Sequence, residues 1–306
     1  MKTPLIIGTR GSDLALWQAH YTQQILSELG VMTELKIIQT KGDQIQHLSF
    51  DKIEGKGFFT KEIEAALMND EIDVAVHSHK DLETQEHPCL IVAAVSERAD
   101  PRDVLILKKT PVPSPLPLQL SHEIKIGTSS VRRKTQLQNI QPHVQLVDIR
   151  GNVPTRIEKL RKGQCDGLLL AAAGIGRLNI DLSEFHVQWL DPTSFVPAPA
   201  QGVLAWQCRK DDLATQSILQ RIHNTETAEL LQIERTILQK MNGGCQLPLG
   251  VYCVRENEKF KANVAFSTGL GNPLLQFQFT HPDASMVIEH CLQKIQKWQV
   301  FSSAEA

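Results

Sequence analysis

Apolar residues in the first two-thirds of the chain switch repeatedly between a short β-branched pattern and a helical period. "LIIGT" (5–9) reads as a strand, and "SDLALWQAHYTQQILSELG" (12–30) as a helix with Ser12 as N-cap and Gly30 as C′ stop. "TELKIIQT" (33–40) reads as a strand, "FFTKEIEAALMND" (58–70) as a helix and "IDVAVHS" (72–78) as a strand. This βαβαβ order predicts a parallel sheet with helices on its faces. The polar, Gly-bearing stretch "KGDQIQHLSFDKIEGKG" (41–57) has the length of a lid or a disordered loop.

After "ERADPRD" (97–103), the strand "VLIL" and the Pro-rich "TPVPSPLPL" (110–118), the rhythm restarts. "EIKIGT" precedes "SVRRKTQLQNI", "VQLVDI" precedes "NVPTRIEKLRKG", and "DGLLLAA" precedes "GIGRL". A second Pro-rich stretch, "DPTSFVPAPAQG" (191–202), closes this unit. From about Thr225 a helix leads to "NGGCQLPLG" (242–250), then to "GVYCVRE", "KFKANVAFST" and "LLQFQFT", which alternate like an antiparallel meander, and to a final amphipathic helix, "ASMVIEHCLQKIQKW". The expected domains are 1–97 with 199–219 (α/β, discontinuous), 98–198 (α/β), and 220–306 (α+β, carrying the Gly-Gly-Cys loop).

Composition narrows the class. At 306 residues, 42% hydrophobic and 22% charged, the chain suits a soluble protein of two or three domains. The start, "MKTPLIIGTRGSD", has too short an apolar run for a signal peptide, and "GLLLAAAGIG" is about half of the roughly 20 residues a membrane helix needs. A cytoplasmic protein without membrane partners is expected. The net charge of −2 speaks against nucleic acid as a partner. Cysteines 89, 165, 208, 245, 253 and 291 form no C-x-x-C pair, so neither a zinc knuckle nor a disulfide framework is indicated. Five of them lie in apolar or helical contexts and are expected to be buried; the exception is Cys245.

In open α/β sheets, ligands bind beyond the carboxyl ends of the strands, where helix N-termini favour negative charge. Three such junctions carry the same equipment. Arg10 precedes Ser12 in "GTRGS", Thr128 and Ser129 precede Arg132 and Arg133 in "GTSSVRR", and Arg150 and Arg156 bracket the turn in "IRGNVPTR". Arg177 in "AGIGR" adds a fourth case. Each alone reads as an ordinary cap with a surface arginine. Their repetition favours a cleft for a polyanion, because guanidinium suits bidentate carboxylate or phosphate binding. No P-loop is present and no G-x-G-x-x-G follows a strand, so nucleotides are poorly supported.

"AVHSHKD" (75–81) is the odd member, because it places Asp81 beside Lys80 at the same edge. Asp81 is either held in a salt bridge or serves a cation that forms during reaction. His77, His79 and His87 invite a zinc reading, but no further ligand falls at metal spacing.

The segments "TRGSDLALWQA", "GKGFFTKEIE", "DVAVHSHKD", "ERADPRD", "GTSSVRR", "RGNVPTR", "AAAGIGRL", "PAPAQG" and "GGCQLPLG" resemble, in order, those of the porphobilinogen deaminase (hydroxymethylbilane synthase) family. The resemblance runs from about residue 5 to 250, with the remainder fitting by length and pattern. It implies two doubly wound α/β domains, similar to type II periplasmic binding proteins, flanking a cleft, plus a small C-terminal α+β domain. It further implies a dipyrromethane cofactor bound to Cys245 through a thioether, and head-to-tail joining of four porphobilinogens with loss of ammonia to give hydroxymethylbilane. By position, Asp81 is the catalytic carboxylate. Lys80, Thr128, Ser129, Arg132, Arg133 and Arg150 fall to the cofactor, and Arg10, Ser12, Arg156, Arg177 and the lid lysines Lys56 and Lys61 to the substrate and growing chain. The product passes to uroporphyrinogen-III synthase, metal is not implied, and a monomer is expected.

The chain departs from the family's pattern at Asp13, His79, Glu83, Ala200 (in place of a glycine) and Gln207 (in place of Glu). These departures bear on local loop shape and leave Cys245, Asp81 and the main arginines intact. A non-catalytic anion-binding protein of the type II class would account for the arginines but not for Cys245 or Asp81. A cysteine acyl transferase would need a base near Cys245, and the histidines lie far off in the chain.

Overall fold

The computed structural model describes residues 4–40, 60–85, 87–109, 124–244 and 246–304. They fall into two compact units, one drawn from Met1–Leu48, Lys52–Ala99 and Gly202–Glu229, the other chiefly from Asp100–Gln201 and Leu230–Ala306. The lid stretch 41–57 and Cys245 lie outside the described residues.

The first unit is built on a sheet of β1 (Leu5–Thr9), β2 (Thr33–Ile37), β3 (Val74–Ser78), β4 (Leu90–Val95) and β10 (Leu204–Arg209), in the order β2-β1-β3-β10-β4. Alternate strand residues point to opposite faces. Ile7, Val74, Val76 and Trp206 pack with Ala19 and Leu26 of α1 (Asp13–Glu28) and Leu219 of α6 (Leu213–Gln220). Ala75 packs with Ile63 and Leu67 of α2 (Lys61–Met68). Trp206, 1% exposed, donates its indole N–H to Thr22 Oγ1 at 2.8 Å. Helix α1 ends as its sequence predicts, with Gly30 at φ 76° and Val31 N–H closing on Leu26 O.

The strands of the βαβαβ pattern pair in parallel as expected, and strands from outside that pattern add antiparallel neighbours. Strands β1, β2 and β3 are parallel, but β10 runs antiparallel to both β3 and β4. The cause is connectivity: β10 enters from the carboxyl edge, after the chain has built the second unit. Hydrogen bonds from Ser96 N–H to Leu204 O and from Ala99 N–H to Gly202 O zip the outgoing and returning strands together.

The second unit repeats the plan with β5 (Asp103–Lys108), β6 (Lys125–Gly127), β7 (Gln145–Val147), β8 (Gly167–Ala171) and β9 (Phe185–Trp189), ordered β7-β6-β8-β5-β9. Helices α4 (Val153–Arg161) and α5 (Ala172–Arg177) cover one face through Ile157, Leu160 and Ile175, and α3 (Val131–Ile140) covers the other through Leu137. Here β5 is the entering strand and runs antiparallel to β8, setting Asp103 opposite Ala171. A three-stranded antiparallel sheet, β11 (Leu249–Glu256), β12 (Lys259–Phe266) and β13 (Leu275–His281), packs on α7 (Thr225–Lys240) and α8 (Ala284–Ala304) through Ile233, Ile237, Val287, Cys291 and Ile295. Among the described residues no helix is long and apolar enough to cross a membrane.

Cysteines 165, 208, 253 and 291 are buried, but Cys89 is exposed, against expectation, because it sits in the turn before β4 rather than on a core face.

Ala200, fully buried, adopts φ 63°. Its N–H donates to Glu234 Oε2 at 2.7 Å, and Glu234 Oε1 accepts from Cys253 N–H, so the loop is held to α7 and β11. A left-handed alanine is strained where glycine is not. Ala200→Gly should therefore stabilise the chain by about 1 kcal/mol, read as a higher urea midpoint at unchanged slope.

Candidate active site

Parallel pairing aligns the carboxyl ends of β7, β6 and β8 along one edge of the second sheet. Every helix that follows these strands starts there, and none carries an acidic residue in its first turn. Ser130 caps α3 by accepting from Arg133 N–H, and Asn152 caps α4 by accepting from Thr155 N–H. Free N–H groups and the helix dipoles make this edge attractive to anions.

Thr128 is buried and Ser129 half-buried; the Ser129 hydroxyl donates to Ile149 O at 2.9 Å, tying the β6 and β7 ends together. Arg156, half-buried, donates from Nε to Gly151 O at 2.7 Å, and Lys159 reaches Arg150 O at 3.0 Å. Gly151, at φ 112°, makes the turn that brings Arg150 and Arg156 to one corner. Arg177 closes α5 and is half-buried.

Arg132 and Arg133 lie deeper than their sequence suggests. Both are buried, and both bind one carboxylate that the motif reading left out. Asp103, fully buried, accepts from Arg132 Nη1 at 2.7 Å through Oδ2 and from Arg133 Nη2 at 2.8 Å through Oδ1. Burial would push the Asp103 carboxyl up, but the charges of Arg132 and Arg133, with hydrogen bonds from Arg132 and Gln201, outweigh it and hold the group well below the usual carboxylate range. The available signal was the position of Asp103, the last residue of "ERADPRD" and the first of a strand entering at this edge.

In the first unit, the carboxyl ends of β1 and β3 lie side by side. They bring Arg10 and Ser12 to the same edge as Lys80 and Asp81. Ser12 precedes α1 with extended backbone, but its side chain makes no cap hydrogen bond. Lys61 opens α2 and is exposed, and Lys56 falls outside the described residues. Asp81 ends a short 3₁₀ turn, His79–Asp81, and is exposed. Among the described residues no ion pair holds its carboxylate.

Behind this turn, His77 Nε2 meets Gln207 Oε1 at 3.0 Å, and Gln207 Nε2 donates to Glu64 Oε1 at 3.0 Å. A carboxylate only accepts, so the amide nitrogen faces Glu64 and its oxygen faces the ring, placing the ring proton on His77 Nε2. Burial, opposed by this hydrogen bond and aided by Arg10, lowers the His77 pKa to about 4. The unfolded chain then binds more protons than the folded one between about pH 6.5 and 4. Stability present above pH 6.5 should fall as pH drops through that window, by at most about 3 kcal/mol, and His77→Gln should flatten this part of the profile. Among the described residues no group of three His, Cys, Asp or Glu side chains is placed to hold a metal ion.

The loop around Cys245 is described on both sides of that residue. Gly243 is buried, and a Cβ there would meet Leu247 and Leu238 at 2.7 and 2.8 Å, so this glycine serves close packing. Gly244 and Gln246 are exposed. Gly250 presses against Val196 and Pro197, and Val251 N–H donates to Pro197 O.

Residues 5–217 match the family model described as the dipyrromethane cofactor binding domain of porphobilinogen deaminase, and residues 228–295 match that family's C-terminal domain. The chain belongs to the porphobilinogen deaminase family. It is 42% identical over 272 residues to the porphobilinogen deaminase of Shouchella clausii, covering 88% of this chain and 85% of that protein. It is 44% identical over 247 residues to that of Syntrophomonas wolfei, covering 80% and 79%. The Bordetella pertussis BvgS periplasmic VFT2 domain is similar at a TM-score of 0.43 and 14% identity, covering 75% of this chain and 92% of that one. As a porphobilinogen deaminase family member the chain is an enzyme of tetrapyrrole biosynthesis. The edge of its second sheet suits an acid-bearing cofactor: hydroxyls, guanidinium groups and acid-free helix starts converge there, and Asp103 offsets only one of the two charges it binds.

Proposed function

We propose that the chain is a hydroxymethylbilane synthase, joining four porphobilinogens head to tail on a covalent dipyrromethane and releasing ammonia at each addition. The supporting observation is the convergence of Thr128, Ser129, Arg132, Arg150 and Arg156 on one sheet edge in a chain of this family. Bound through the Cys245 sulfur, the dipyrromethane would supply the pyrrole α-carbon that accepts the first substrate.

The protein's own groups carry the rest. Arg132 and Arg150, with the two hydroxyls, hold cofactor carboxylates. Arg10, Ser12, Arg156 and Arg177 meet the acetates and propionates of substrate and growing chain, with Lys56 and Lys61 beside them. Loss of ammonia from porphobilinogen leaves a cation, which Asp81 stabilises through its charge. Asp81 also passes a proton to the leaving amine and takes the one displaced from the substrate's α-carbon. Lys80 draws cofactor carboxylates to the same edge. We further propose a cytoplasmic monomer of three domains (1–97 with 199–219, 98–198 and 220–306) whose product goes to uroporphyrinogen-III synthase.

Incubation with porphobilinogen tests this reading. Release of ammonia in step with substrate loss, and appearance of a linear tetrapyrrole, are expected. Tight binding of porphobilinogen without ammonia would support the anion-binding alternative instead.

A further inference from the structure

Three motifs far apart in the sequence meet at one buried point. "ERADPRD" supplies Asp103, "GTSSVRR" supplies Arg132 and Arg133, and "PAPAQG" supplies Gln201. Gln201 Nε2 donates to Asp103 Oδ1 at 3.0 Å and to Pro101 O at 2.8 Å. The side chains of Arg132 and Arg133 are 5% and 7% exposed and that of Asp103 is 0%.

The two arginines are held differently. Arg133 gives its Nε edge to Asp103 Oδ1 and Nη1 to Leu169 O at 3.0 Å. Its fork is used inside the protein. Arg132 donates to its protein acceptors through Nη1 alone, to Asp103 Oδ2 at 2.7 Å and Val196 O at 2.8 Å. Among the described residues no acceptor meets its Nε–Nη2 edge, the edge suited to two parallel bonds with a carboxylate. Two guanidinium groups against one carboxylate also leave the buried node with one positive charge in excess, and no second carboxylate among the described residues pairs with either. Burial weakens the hold of Arg132 on its proton, with Asp103 opposing and Arg133 adding to the effect.

The Val196 carbonyl that accepts from Arg132 lies in the strip of backbone against which Gly250 packs. Arg132 and the far side of the Cys245 loop are therefore braced on the same residues.

We propose that Asp103 is a positioning residue that divides the pair: it commits Arg133 to the fold and turns the Nε–Nη2 edge of Arg132 toward a carboxylate of the bound dipyrromethane. The proposal rests on the functional reading above and refines it, since the family resemblance gives both arginines to the cofactor. It makes Arg132 the contact and Arg133 a structural strut. It also makes bound cofactor the counter-charge for the excess cation.

The test uses full-length chain produced without porphobilinogen, then loaded by adding it, with occupancy followed by intact mass and melting temperature measured before and after. Arg132→Gln leaves Asp103 paired with Arg133, so the unloaded protein should melt near the wild type but load at least about tenfold more slowly. Arg133→Gln should lower the melting temperature of loaded and unloaded forms alike. Asp103→Asn raises the excess from one charge to two, so it should melt lower when unloaded and gain more on loading than the wild type does.

If Asp103→Asn does not fold, the two arginine variants still decide the matter. Fast loading in Arg132→Gln with slow loading in a stable Arg133→Gln would overturn the division. Equal loss in both forms of Asp103→Asn would overturn its charge-setting role. Failure of the wild type itself to load would instead count against the functional reading.

Discussion

Asp81→Asn should fold and load cofactor, yet turn over at least about two to three decades more slowly than the wild type. Asp81 is exposed at the end of a short turn, and no described ion pair holds it. Removing its charge therefore takes no counter-ion from the fold, and the melting temperature should barely move. Cofactor binding should survive, because the groups assigned to its carboxylates remain. The loss falls on chemistry, where the asparagine amide cannot balance a developing cation. Asp81→Glu keeps the charge but moves it by one methylene, so some activity should persist. Melting temperature and single-turnover rate, measured on each variant, separate this from a structural role, which forecasts lost stability with normal turnover of the folded fraction. A stable, loaded Asp81→Asn enzyme with near-normal rate would assign the role to another carboxylate.

Cys245→Ser should lose turnover entirely while leaving the fold intact. The buried thiols are poor rivals for cofactor attachment: burial pushes Cys208 and Cys291 up to about 12, and Cys165 is also raised. A thiol that holds its proton so firmly attacks slowly. Cys89 is exposed, and it serves as the internal control. Cys89→Ser should load and turn over as the wild type does, whereas Cys245→Ser should carry no cofactor and consume no porphobilinogen. Full loading of the Cys245→Ser protein would redirect the attachment to Cys89.

The α/β rhythm was legible because strands with one period and helices with another alternate cleanly, from "LIIGT" through "GIGRL". The returning strand β10 was not. "LAWQCR" is buried on both faces, with Ala205, Trp206, Gln207 and Cys208 all at 1% exposure or less, so no alternation marks it. Strands β4 and β9 and helix α6 are too short to show a clear period, although Asp212 caps α6 by accepting from Thr215 N–H. Sheet direction was equally hidden, since connectivity across two units, not local pattern, turns β5 and β10 around.

The arginine junctions were visible one by one in the sequence, and the parallel register explains why Arg132, Arg150 and Arg156 share an edge. What single motifs concealed was pairing at long range. Asp103 lies 29 and 30 residues from its two arginines and Gln201 another 98 away, and only the antiparallel setting of β5 on β8 brings them together. The chain of Glu64, Gln207 and His77 is of the same kind, spanning 143 and 130 residues.

The central claim is that Cys245 carries the dipyrromethane through a thioether. An intact mass spectrum of the purified wild-type chain, followed by peptide mapping, tests it most directly. The account predicts a mass above that of the sequence by one dipyrromethane, with the addition on the peptide containing Cys245. A fully active chain whose mass equals that of its sequence would contradict it.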